Sequence, residues 1–71
     1  MTKRRDIIKV IGTKAKEQGI SFDLVREGSN HSLFSLDGLL IPIARHNEIG
    51  NRMAATIYGE CAEKLGKDWW K

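Results

Sequence analysis

The chain has 71 residues, 41% hydrophobic and 30% charged, with twelve Lys and Arg against nine Asp and Glu for a formal charge of +3. A chain this short buries only about 60% of the surface it exposes when unfolded, which excludes an enclosed small-molecule cofactor and puts any activity on a surface. The composition excludes a disordered or low-complexity chain, no run approaches the roughly 18 apolar residues of a membrane helix, and Met1-Thr2-Lys3-Arg4-Arg5 opens no signal-peptide core, so a cytoplasmic protein with no membrane partner is expected.

Over residues 3–18 the apolar positions Ile7, Ile8, Ile11 and Ala15 recur at spacings of three and four, the stripe of an amphipathic helix. Thr2 is its candidate cap, and Gly19 stands where a helix commonly stops. Lys3, Arg4, Arg5, Lys9, Lys14 and Lys16 crowd the same segment against Asp6. They read first as a solvated face, because cations at a helix start cost little, and second as a phosphate-facing patch. Between residues 20 and 44 the period falls to two. Phe22 and Leu24, then Phe34 and Leu36, then Leu39, Ile41 and Ile43 mark three short strands. Gly28-Ser29-Asn30 separates the first two, and Asp37-Gly38 is a tight hairpin signal between the second and third. Pro42 cannot donate to a ladder, so the third strand is an edge or turns that position outward.

After a loop over residues 45–49, Met53, Ile57, Cys61 and Leu65 repeat every four, beside Ala54, Tyr58 and Ala62. They define a second amphipathic helix, capped by Gly50 or Asn51 and stopping at Gly66. The order helix, strand, strand, strand, helix predicts an α+β two-layer sandwich, one domain over residues 1–71 with a tail from residue 66. Both helices cover one face of a three-stranded antiparallel sheet and leave the other open. Trp69 and Trp70 in the tail read as a cover for the edge of the core, with a partner-binding anchor as the alternative. Cys61 falls on the apolar stripe and reads as packing. A lone cysteine and two histidines far apart make no zinc constellation, so no metal is expected.

With Phe34 toward the helices, alternation sends His31, three positions earlier, to the open face. It stands beside the Gly-Ser-Asn turn at the start of a central strand, where main-chain N–H groups and hydroxyls meet a phosphate. Imidazole, with an ordinary pKa of about 6.5, takes up and returns a proton near neutrality. On spacing alone, such a histidine is more often a polar surface residue than a catalyst.

The run Gly28-Ser29-Asn30-His31-Ser32-Leu33-Phe34 resembles the Gly-Ser-His-x-x-Phe motif of the HicA family of toxins, at the start of the second strand. Arg4-Arg5-Asp6-Ile7-Ile8-Lys9 is similar to that family's first helix. Ile41-Pro42, Arg45-His46-Asn47-Glu48-Ile49 and Ala54-Ala55-Thr56-Ile57 are similar to its strand, loop and second helix, so the likeness spans about residues 4–60. Asn30 is one residue more than the motif holds between its serine and histidine. The resemblance implies a double-stranded-RNA-binding-like fold and a metal-independent endoribonuclease that cleaves messenger RNA, with a HicB-like antitoxin as partner. It makes His31 the catalytic residue. Lys3, Arg4, Arg5 and Arg26 become candidates for neutralising charge on the phosphate, each of them also readable as plain surface charge. Ser29 binds phosphate or shapes its turn, Arg45 and Arg52 border a possible anion site at the second helix, and His46 is a loop residue or a second proton-transfer group. The alternatives to a nuclease are a non-catalytic RNA-binding module of the same fold and a protein-interaction domain. The first usually needs a lysine-rich start to the second helix, where this chain has Arg52 alone.

Overall fold

The computed structural model describes residues 2–70. Its elements in chain order are β1 (Thr2–Lys3), α1 (Arg4–Gln18), β2 (Phe22–Glu27), β3 (His31–Leu36), β4 (Leu39–Ala44), β5 (Glu48–Ile49) and α2 (Asn51–Leu65). Strands β2, β3 and β4 form an antiparallel meander in that spatial order, and β1 pairs with β5 in a separate two-stranded ribbon. The architecture is α+β, helix-strand-strand-strand-helix, with the ribbon added. No helix among the described residues is long and apolar enough to cross a membrane.

The core follows from the two periods. Ile7, Ile11 and Ala15 of α1 and Ala54, Ile57, Cys61 and Leu65 of α2 are buried against Phe34, Leu36, Ile41 and Ile43 of the sheet. On β3 burial alternates strictly, with Ser32, Phe34 and Leu36 buried and His31 exposed on the other face. Phe22 stacks on Phe34 with ring centroids 4.9 Å apart. Met53 departs from the expected stripe and is half exposed, while Ala54 is buried in its place. A strict four-residue repeat overshoots the helical turn by about 40° per step, so its first member drifts off a face fixed by the later ones. Leu24 points toward the helix layer but is 51% exposed, because β2 is an edge strand whose far part the helices do not reach.

Strand β4 is the opposite edge, which accommodates Pro42, exposed and paired with Leu33. At the β3–β4 hairpin Asp37 and Gly38 both have positive φ, 51° and 90°, the geometry a two-residue loop needs to match the twist of its strands. Helix α1 closes on Gly19 at φ 72°, whose N–H donates to the carbonyls of Ala15 and Lys16.

Thr2 is not the cap of α1. Lys3 holds that position with extended backbone and no side-chain cap bond. Residues 2 and 3 are instead drawn into the ribbon, Thr2 opposite Ile49 and Lys3 opposite Glu48, and the Thr2 hydroxyl donates to Asn51 Oδ1 at 3.3 Å. The expected loop over residues 45–49 thus ends in a strand. Gly50 caps α2 and Asn51 begins it. The ribbon joins the starts of both helices, and Gln18 Nε2 donates to the Leu65 carbonyl at 2.9 Å to join their ends, so the two helices run side by side in the same direction.

The tail folds back. Trp69 Nε1 donates to the Tyr58 carbonyl at 2.7 Å, and its ring meets Tyr58 edge-on at 5.3 Å. Trp70 lies 5.9 Å from Trp69, and both indoles border a groove of about 480 Å³ along the outer side of α1.

Candidate nucleic-acid interface

The starts of both helices, the β2–β3 turn and the end of β4 meet at one end of the molecule, and Arg4 ties them together. Its Nε donates to the Ala44 carbonyl at 3.0 Å and its Nη2 to Ser32 Oγ at 2.6 Å, while its backbone N–H donates to the Asn47 carbonyl. Ser32 is fully buried, and its hydroxyl passes the chain on by donating to Glu27 Oε1 at 2.5 Å. Glu27 Oε2 lies 3.5 Å from Arg45 Nη2. Hydrogen bonding from Ser32 holds the Glu27 carboxyl below its ordinary pKa of 4.5; partial burial opposes this, and the charges of Arg45 and Arg4 reinforce it. Among the described residues no buried side-chain polar atom lacks a hydrogen-bond partner, and the Ser32 hydroxyl is satisfied on both sides, as a buried serine requires.

A bulge sets which residues face which way. Strand β2 pairs Leu24 with Phe34, then skips Val25 and pairs Arg26 with Leu33 and Glu27 with Ser32. Simple alternation from Leu24 puts Arg26 on the helix side and Glu27 outside. The extra residue reverses both, turning Glu27 in toward Ser32 and Arg26 out to the open face. Arg26 there sits diagonally from His31, a cross-strand relation with a separation of about 7–8 Å between backbones. In the sequence Arg26 is one candidate cation among several and nothing marks Val25 or Glu27, because a valine in mid-strand gives no bulge signal.

The β2–β3 turn is held tightly. Gly28 N–H donates to the His31 carbonyl at 2.9 Å, the Gly28 carbonyl accepts from Arg45 Nη1 at 2.7 Å, and the Asn30 carbonyl accepts from the Arg45 backbone N–H at 3.0 Å. A Cβ on Gly28 would stand 2.9 Å from the His31 carbonyl oxygen, so glycine is what lets the turn close. Asn30 lies within this turn. His31 is the first residue of β3, opposite Ala44, with its side chain exposed.

Two depressions open at this end. One, of about 400 Å³, is lined by Ser29, Asn30, Arg45 and His46; the other, of about 310 Å³, by Lys3, Arg4, Arg5 and Asn47. Residues 45–47 run between them. The structure therefore brings Lys3, Arg4, Arg5, Ser29, His31, Arg45 and His46 to one end, with Arg26 on the adjoining open face. Lys3 and Arg5 are exposed, whereas Arg4 is half-buried with its guanidinium engaged by Ser32 and Ala44. Lys9, Lys14 and Lys16 lie further along α1, and Lys14 sits 3.8 Å from Glu17. Arg52 is exposed in the first turn of α2.

Chemically, the end offers an exposed imidazole for proton transfer and several solvent-facing cations for a polyanion. Among the described residues no three His, Cys, Asp or Glu side chains gather as metal ligands. Cys61 is buried in the core, where desolvation, with the Glu60 charge adding to it, pushes its thiol up to about 12. No protein-family model matches the chain, and no curated protein and no solved structure matches it.

Proposed function

We propose that this protein is a metal-independent endoribonuclease of the HicA type, a cytoplasmic toxin that cleaves messenger RNA and is neutralised by a HicB-like antitoxin. The observation that carries the reading is the position of His31, exposed on the uncovered sheet face at the cationic end of the fold, with Arg26 turned onto the same face. The likeness of Gly28 through Phe34 to the family's motif supplies the reaction.

In that reaction His31 takes the proton of a ribose 2′-hydroxyl. The freed oxygen forms a bond to the neighbouring phosphorus, the bond from phosphorus to the 5′-oxygen breaks, and the products are a 2′,3′-cyclic phosphate and a 5′-hydroxyl. Arg26, Lys3 and Arg5 balance charge that builds on the phosphorane oxygens, and Ser29 and Arg45 hold the backbone beside the turn. Arg4 contributes its charge at short range while fixing the start of α1 to the sheet. The antitoxin covers the open face, whose centre is made apolar by Leu33, the half-exposed Leu40 and Pro42.

Induced expression of the wild type and of His31→Ala, with mapping of RNA ends, tests the assignment. Wild type is expected to arrest growth and generate new 5′-hydroxyl ends. The variant, folded alike, loses at least about 100-fold of the cleavage, the usual worth of a proton-transfer group. Full toxicity in the variant refutes the role of His31. Salt-sensitive RNA binding without cleavage by either protein would instead establish a non-catalytic RNA-binding module.

A further inference from the structure

A single imidazole leaves half of the proposed reaction unassisted. In an in-line displacement the base takes a proton on one side of the phosphorus while the departing 5′-oxygen, a poor leaving group as an alkoxide, needs a proton on the other. A second proton-transfer group on the far side of a phosphate from His31 would supply it.

The strand register brings a second histidine close to the first. His31 is opposite Ala44, and the Arg45 N–H bond to the Asn30 carbonyl carries the β3–β4 pairing one step beyond the sheet. His46 follows directly, just outside the strand, near the diagonal position from His31 that a continued ladder would give it, a step that separates backbones by about 7–8 Å. That spacing leaves room for a phosphate between two rings. His46 is exposed and lines the depression of about 400 Å³ together with Ser29, Asn30 and Arg45. Arg45 is fixed by Gly28, Asn30 and Glu27, which anchors the backbone that presents His46. The depression is open to solvent, and its walls offer a hydroxyl, an amide and a guanidinium for a nucleotide.

We propose that His46 is the general acid that protonates the leaving 5′-oxygen, and that the Ser29–Asn30–Arg45–His46 depression seats the nucleotide on the 3′ side of the cut. This rests on the ribonuclease reading and adds a second catalytic residue to it. The proton taken from the 2′-hydroxyl ends on His31, the proton given to the 5′-oxygen comes from His46, and exchange with water resets both.

The test compares leaving groups. After the wild-type cleavage site has been mapped on a defined RNA, that RNA is prepared with its natural 5′-oxygen and with sulfur in the same bridging position. A thiolate departs without needing a proton. His46→Ala is expected to slow cleavage of the oxygen substrate by about 100-fold or more and to cleave the sulfur substrate within about tenfold of wild type, whereas His31→Ala is slow on both. Recovery on sulfur also shows that the variant's active site is folded. A His46→Ala protein as fast as wild type on oxygen, or as impaired on sulfur as on oxygen, overturns the proposal while leaving the nuclease assignment standing. A folded wild type that gives no cleavage site to map overturns both.

Discussion

Glu27 sits where two strands, a turn and a helix start converge, and its carboxylate receives the Ser32 hydroxyl on one oxygen and faces Arg45 on the other. Because its folded pKa lies below the ordinary value of 4.5, the ionised form is favoured by folding. Its contribution to stability is therefore complete above that value and is lost as pH falls through the lowered folded pKa. Denaturant unfolding followed downward from pH 6 is expected to show the wild type losing stability below about 4.5 faster than Glu27→Gln, the gap between them closing with acid. Parallel curves would show that Glu27 is not the group responsible. Gly28 makes a different demand, since the atom its missing Cβ would strike is backbone. Gly28→Ala should cost about 1–3 kcal/mol by overpacking and displace the start of β3, so that RNA cleavage falls along with melting temperature. An alanine variant with unchanged stability and activity would contradict this closure of the turn.

At the level of elements, the periodic stretches were readable and the pairings between distant segments were not. Ile7, Ile11 and Ala15 announce α1, and the Asp37-Gly38 pair announces the hairpin, because both signals are local in the chain. The β1–β5 ribbon joins residues 46 or so apart and contains two residues per strand, too few to show an alternation, so Thr2 looks like a cap until Ile49 is beside it. The bulge at Val25 is hidden for the same reason. It depends on how β2 meets β3, and it alone decides that Arg26 shares a face with His31. The exposed setting of His31 followed from Phe34 by alternation within one strand; the gathering of Arg4, Ser32, Glu27 and Arg45 behind it required the fold.

As a whole, the molecule is one thin helix layer on one sheet layer, and a chain of this length has about 4–10 kcal/mol of stability in total. Cys61 reports on it directly. The thiol is fully buried and its pKa is pushed up to about 12, so little thiolate exists in the folded protein near neutral pH. Labelling by a thiol-reactive disulfide is expected to be slow in the native state and to accelerate with denaturant in step with loss of the circular dichroism signal. Rapid labelling without unfolding would mean that the core opens locally around α2. The division of labour across the molecule follows from that thinness. The helix side is given to packing, and the end where the helix starts meet the β2–β3 turn is left to carry charge and the exposed imidazole.

The nuclease assignment is tested with purified wild type and His31→Ala on a defined single-stranded RNA in the presence of a metal chelator, reading the chemistry of the new ends. Wild type is expected to yield fragments ending in 2′,3′-cyclic phosphate and 5′-hydroxyl, undiminished by the chelator, and the variant at least about 100-fold less. Equal cleavage by the variant, or an intact RNA after incubation with folded wild type, would contradict it.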